Sequence, residues 1–180
     1  MIQIGLYHRK RDRPVSIINA DRDERNWGMR YFEDLAVGDR FTGGPLAVTE
    51  EEIVGFASRF DPQPFHLDAE AAKATLFGGL AASGWHTTAL TMRMIVGSDA
   101  DLAGGYIGMG VDSIAWPKPT RPGDTLRIEG EIEEARLSSK RPDRGIVRVR
   151  IVTLNQKDET VQTMIANLLS PTRAGVDTPA

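Results

Sequence analysis

The chain has 180 residues, 41% hydrophobic and 26% charged, which is the size and composition of one globular domain. Lys and Arg total 22 against 25 Asp and Glu, a formal net charge of -3, so no basic excess is present to neutralise phosphates and a nucleic-acid partner is not expected. The lack of cysteine removes disulfide frameworks, thiolate zinc sites and cysteine nucleophiles together.

Residues 1–28 carry dense charge, with Arg9-Lys10-Arg11-Asp12-Arg13 and then Asp21 to Arg25, and show no sustained period. They are expected to be a poorly ordered extension ahead of one domain at 29–173 and a tail at 174–180. The start is too short and mixed for a signal peptide, and Arg93 divides the best apolar stretch before it reaches the roughly 18–20 residues of a membrane span. A cytoplasmic protein with no membrane partner is the expectation.

Arg40 to Val48 reads as a strand interrupted by Gly43-Gly44-Pro45. Thr49 and Glu52 form a capping box, and Ile53, Val54, Phe56, Ala57 and Phe60 follow at helical spacing. Asp61-Pro62-Gln63-Pro64 stops that helix, because each proline biases the preceding residue away from helix and leaves Asp61 and Gln63 extended. Asp68 can cap a short helix through Phe77, ended by Gly78-Gly79. Ser83 is the next N-cap. Beyond it Trp85, Thr88, Ala89, Met92, Ile95 and Val96 recur on one face while Leu90 and Met94 add apolar surface elsewhere, which predicts a buried helix from Gly84 to about Val96.

The second half changes period. Tyr106–Ala115, Leu126–Glu133, Val147–Val152 and Val161–Ser170 read as strands, the last two separated by the turn cluster Asn155–Asp158. Helices followed by four strands on short turns define an α+β class with an antiparallel sheet, whose apolar face the Gly84–Val96 helix would cover.

Several chemistries lack their motifs. There is no phosphate-cradling P-loop and no nucleophile elbow, and the glycines of Gly105-Tyr106-Ile107-Gly108-Met109-Gly110 are in the wrong order for a dinucleotide fingerprint. His8, His66 and His86 are the only histidines and no pair has helical metal-ligand spacing, so no metal is expected. What remains is Asp61-Pro62-Gln63-Pro64-Phe65-His66, where two prolines stiffen a loop carrying a carboxylate and an imidazole. Two readings of the spacing are open: a pair that handles the protons of one water, or a turn in which Asp61 caps and His66 bonds backbone.

This loop, with Leu67-Asp68-Ala69-Glu70-Ala71-Ala72, resembles the signature of the MaoC-like, (R)-specific enoyl-CoA hydratase family, matching at Asp61, Gln63-Pro64, His66 and Ala72. Tyr31–Asp39, Phe77–His86 and Ile114–Asp124 are also similar to MaoC-type dehydratases, so the likeness runs from about Tyr31 to Arg173. The resemblance implies a hotdog fold, an antiparallel sheet wrapped around a long central helix and usually paired as a homodimer. It implies an acyl-CoA (or acyl-carrier) thioester as substrate, with no cofactor beyond the CoA of the substrate itself. The implied reaction is reversible syn addition of water across the α,β double bond, with Asp61 and His66 as catalytic residues. Gln63 stands where the family usually has Asn, Phe65 where it has an aliphatic residue, and Ser83-Gly84 where it has His-Gly; these departures bear on pocket shape and substrate choice.

Such a reaction puts charge on the thioester oxygen, and a helix N-terminus offers free N–H groups and partial positive charge. Gly84 is the candidate oxyanion donor, the alternative being that it only lets the helix pack closely. Ser83 is read as a cap or an acyl-group donor, Trp85 and Trp116 as core aromatics or the lining of an acyl tunnel, and His86 as packing or a neutral hydrogen-bond donor. Lys140, Arg141 and Arg144 cluster in a polar turn that either clamps CoA phosphate, Arg144 foremost, or is a solvated hairpin tip. Two other functions share these features: a hotdog acyl-CoA thioesterase and a non-catalytic acyl-CoA-binding subunit.

Overall fold

The computed structural model describes residues 29–176; the charged segment 1–28 and residues 177–180 lie outside the described residues. After a 3₁₀ turn at Phe32–Asp34, strand β1 (Arg40–Ala47) leads into helix α1 (Glu50–Phe60). The expected capping box is present: Thr49 Oγ1 accepts the Glu52 N–H at 3.1 Å and the Thr49 N–H donates to Glu52 Oε2 at 3.2 Å. A cap of this kind stabilises by about 1 kcal/mol, and it fixes where α1 starts and therefore where it delivers Asp61.

The loop after α1 differs from its proline pattern. Gln63 is extended, as expected, but Pro64–Leu67 closes one helical turn, α2. Pro64 opens it at the first helical position, where a missing N–H has no partner to lose and φ is already helical. Asp68 caps α3 (Ala69–Lys73) by accepting the N–H groups of Glu70 and Ala71 at 2.8 and 2.9 Å. That helix stops short of Phe77, since the Thr75 hydroxyl turns back onto the Ala72 carbonyl at 2.7 Å.

Helix α4 (Gly84–Val96) lies against the sheet made by β1 with β2 (Ile107–Ala115), β3 (Thr125–Leu137), β4 (Arg144–Leu154) and β5 (Thr160–Pro171). All neighbours are antiparallel in the order β1-β3-β4-β5-β2. This is the α+β, hotdog arrangement. Leu90, Met94 and Ile95 of α4 meet Ile128, Ile132, Val147 and Ile151 of the sheet in one apolar core. Strand packing is close at Gly130, where an added Cβ would come within 2.1 Å of the Phe41 ring of the paired strand. Arg173–Val176 forms a short helix, α5, at the start of the expected tail.

The expectation of a buried helix is met on one face of α4, at His86, Thr87, Leu90, Thr91, Met94 and Ile95, and not on the other. Trp85, Ala89, Met92 and Val96 lie at i, i+4, i+7 and i+11 and form an open apolar stripe, with Trp85 61% and Val96 57% exposed. The described chain has too few layers to cover both faces of α4. No helix among the described residues is long and apolar enough to cross a membrane.

Candidate active site

Asp61 and His66 are brought together by the α1 C-terminus and the Pro64 turn. His66 Nε2 stands 3.5 Å from Asp61 Oδ2, and the imidazole is buried. Its other nitrogen, Nδ1, lies 2.7 Å from the Ala81 carbonyl oxygen. A carbonyl only accepts, so Nδ1 carries the proton and, in the neutral ring, Nε2 presents a lone pair toward Asp61. Of the two readings of this loop, elements of both are present: His66 does bond backbone, and that bond is what turns Nε2 toward the carboxylate.

Ser83 and Gln63 converge on the same carboxylate. The Gln63 amide donates to Asp61 Oδ1 at 2.6 Å, and the Ser83 hydroxyl also hydrogen-bonds the carboxylate while its oxygen accepts the Trp85 N–H at 3.2 Å. A serine hydroxyl has one proton, so the cap of α4 and the support of Asp61 together use both of its abilities. The Ser83 bond, opposed by partial burial and aided by Gln63 and the adjacent imidazole, holds the Asp61 carboxyl below its ordinary value. The ionised form is therefore the resting one at neutral pH. Because the folded value is lowered, the stability it contributes is complete above the unfolded value, about 3.9, and is lost as pH falls through the folded value. Ser83→Ala should raise the Asp61 pKa and move that loss to higher pH, as read from the Asp61 carboxyl ¹³C shift against pH; an unchanged midpoint would remove Ser83 from the support of Asp61.

Gly84 opens α4 directly after Ser83, and no described residue accepts its N–H. The face of the Trp116 indole lies on its Cα, so close that an added Cβ would come within 2.7 Å of the ring. A cleft of about 630 Å³ runs past this point, lined by His66, Phe77, Gly84, Trp116, Lys118 and Arg121 among others. Asp61 is not part of its lining and reaches it through His66. The imidazole, with the carboxylate behind it, and a free helix N-terminal amide thus border one cleft, an arrangement able to hold a polarised carbonyl and a water side by side.

Trp85 meets Trp116 edge to face, centroids 5.5 Å apart, and the two indoles separate this cleft from a second, apolar trough of about 670 Å³ on the open side of α4. Of the two readings of His86, packing is the one with contacts: it stacks on Phe56 at 4.7 Å, its Nδ1 is buried without a hydrogen-bond partner among the described residues, and burial, opposed by Glu52, lowers its pKa and keeps it neutral. Arg144 is not brought to the cleft. Its guanidinium pairs with Asp143 at 2.5 Å, and its strand begins beside the Leu137 end of β3, whereas the cleft loop enters β3 at Thr125. The span between those ends is roughly 40 Å along the strand. Among the described residues, no three His, Asp or Glu side chains are grouped to hold a metal ion.

Sequence reasoning passed over Gln162. Fully buried on β5, it accepts from the Trp116 indole N–H at 3.0 Å and from Thr88 Oγ1 at 2.8 Å, and donates to Thr91 Oγ1 at 3.1 Å. It thereby fixes the indole over Gly84. A signal was available, since Gln162 shares the inward phase of Met164 and Ala166 in an otherwise apolar strand face.

With an antiparallel sheet, its packed helix and this Asp–His loop in view, the class of protein is a hotdog domain of dehydratase type. The MaoC like domain family model matches residues 35–155, and the chain belongs to that family. It is 52% identical to the MaoC-like dehydratase from Rhodospirillum rubrum, with a TM-score of 0.77, covering 80% of this chain and 98% of that one. It is 31% identical to the uncharacterized protein YdeM of Bacillus subtilis (strain 168) over 72% of this chain and 91% of the relative. The unliganded (R)-hydratase PhaJ1 from Pseudomonas aeruginosa is 27% identical with a TM-score of 0.62, covering 79% of this chain and 86% of that one. Family and neighbours support a hydratase or dehydratase activity of the lyase type.

Proposed function

We propose that the protein adds water reversibly and with syn geometry to the α,β double bond of an enoyl-CoA thioester, giving a 3-hydroxyacyl-CoA. The observation that carries this reading is the 3.5 Å approach of His66 Nε2 to Asp61 Oδ2, with Nδ1 anchored on Ala81, beside the free N–H of Gly84. Two proton acceptors at that separation can each take one O–H of a single water, leaving its oxygen lone pairs to attack Cβ. As the C–O bond forms, the π electrons move to Cα and the thioester oxygen, where the Gly84 N–H meets the developing charge. Such a donor can lower a barrier by about 2.7–4 kcal/mol. The proton that leaves the water passes through the Asp61–His66 pair and is delivered to Cα from the same face, so hydroxyl and hydrogen arrive syn. The two transfers belong to the pair jointly.

The reading uses no metal and no cofactor, the CoA being part of the substrate. Crotonyl-CoA should lose its conjugated-thioester absorbance on incubation with the protein, while a saturated acyl-CoA releases no free thiol. Thiol release from the saturated compound would favour a thioesterase, and binding of both without turnover an acyl-CoA-binding subunit.

The same reading makes the protein a cytoplasmic homodimer built through β2. That strand is an outer edge of the sheet, and Ile107, Met109 and Val111 are 50%, 55% and 53% exposed. The opposite edge, β1, carries Gly44-Pro45, a proline being a usual protection of a free edge; β2 has register breaks at Gly108/Gly110 and Val111/Ser113 but no proline. The trough beside it, lined by Trp85, Met92, Tyr106, Met109 and Val111, is continuous with the open stripe of α4. A second copy related by a two-fold axis would extend the sheet across β2 and cover both. Val111→Lys should convert a particle of twice the chain mass to one of single mass in sedimentation velocity; an unchanged mass would refute the β2 interface.

A further inference from the structure

Arg121 sits in the loop between β2 and β3 and sends its guanidinium across the cleft wall to three carbonyls of one turn. Nη1 donates to Gly79 O at 2.6 Å and to Leu80 O at 3.0 Å, and Nη2 donates to Phe77 O. Its own backbone is held in turn, the Arg121 N–H donating to Asp124 Oδ2 at 2.7 Å. The turn it grips has little stiffness of its own. Gly78 and Gly79 both take positive φ, +63° and +158°, and Leu76 ahead of them is fully exposed, while Phe77 is half-buried against the Phe65 and His66 rings. The residue that follows the gripped turn is Ala81, whose carbonyl oxygen accepts the His66 Nδ1 proton.

We infer that Arg121 is a positioning residue for His66: by clamping the Phe77–Leu80 turn it sets the Ala81 carbonyl that fixes the imidazole tautomer and aims Nε2. Two backbone bonds, Ala81 N–H to Phe65 O at 3.2 Å and Ala82 N–H to Thr120 O at 2.9 Å, hold the far side of the same carbonyl. They restrain the chain after the turn; before it, the Gly78 N–H donates to Thr75 O at 3.0 Å, and the guanidinium ties the Phe77, Gly79 and Leu80 carbonyls together. Three neutral acceptors suit an arginine fork, whose donors are planar and fixed in direction, better than a lysine ammonium.

The consequence for catalysis rests on the hydration reading, but the consequence for the ring does not. His8, His66 and His86 are the only histidines, so the long-range ¹H–¹⁵N couplings of His66 can be assigned and report which ring nitrogen is protonated. At about pH 8, where an ordinary imidazole is neutral, the wild type should show the Nδ1–H form alone. Arg121→Met should show both tautomers, and kcat for enoyl-CoA hydration should fall about 10- to 100-fold with KM nearly constant. Arg121→Lys should be intermediate in both readouts, and it supplies the same test if the methionine variant does not fold. A folded variant that keeps the pure Nδ1–H form overturns the inference. So does a raised KM at unchanged kcat, which would make Arg121 a substrate contact. A tautomer shift in a protein that hydrates no enoyl thioester leaves the positioning role standing and removes only the reaction assigned to the site.

Discussion

Asp61→Asn is expected to lower the hydration rate of an enoyl-CoA by about 10²–10⁴-fold while the protein keeps its fold, the range typical of losing one positioned acid–base group. The substitution is nearly isosteric. Its side-chain oxygen can still accept one of the bonds that Ser83 and Gln63 now give the carboxylate. What it loses is the negative charge and the second acceptor, and with them the ability to take a proton from water held against His66 Nε2. His66→Ala should fall into the same range, because an Asp61 carboxylate kept ionised below the usual value is a weak base without the imidazole beside it. The two losses should not add: a pair that acts as one unit is disabled by either change, so the double variant should be little slower than the worse single one. Thermal denaturation of each variant alongside the rates separates loss of chemistry from loss of fold. Near-normal turnover in both single variants would take the pair out of the mechanism.

Gly84→Ala is expected to have the next largest effect, through a contact and not through charge. The new Cβ would meet the Trp116 indole at 2.7 Å, a separation real methyl groups do not adopt, and the indole cannot swing freely because its N–H is tied to buried Gln162. Relief requires moving either the first turn of α4 or the ring, at a cost of about 1–3 kcal/mol. Either movement displaces the free N–H from the cleft, and loss of such a donor costs about 10²–10³-fold in turnover. A double-mutant cycle isolates the cause. With Trp116→Leu in place the clash is gone, so Gly84→Ala should then cost almost nothing in stability, and the two single effects should be far from additive. Full additivity would mean that the ring is not what makes glycine necessary at this position.

How far the sequence foretold this architecture depends on the range of the interaction responsible. The Thr49 cap, the Ser83 cap and the alternation in β3, β4 and β5 are local, and each appears where the residue pattern puts it. The Asp–His pair was legible from a motif whose members are five residues apart, although the helical turn at Pro64 that orients His66 was not, since two prolines read first as breakers. Gln162 and Arg121 depend on contacts 46 and 42 residues away in the chain, to Trp116 and to Gly79, and no periodicity announces those. Arg144 shows the same limit from the other side. It resembles a phosphate clamp as a residue type, and only the β3–β4 register reveals that it lies beside the strand end remote from the cleft. The open stripe on α4 is visible in the sequence as hydrophobicity, but a pattern records that a face is apolar and not which surface covers it.

The central claim is that one acid–imidazole couple manages both the arriving oxygen and the arriving hydrogen. Running crotonyl-CoA hydration in D₂O and resolving the product by NMR reads this outcome directly. A single deuterium at Cα, on the same face as the new hydroxyl, is the result required of Asp61 and His66 acting from one side. Deuterium on the opposite face, or on both faces equally, would mean that the proton comes from elsewhere and would contradict the account.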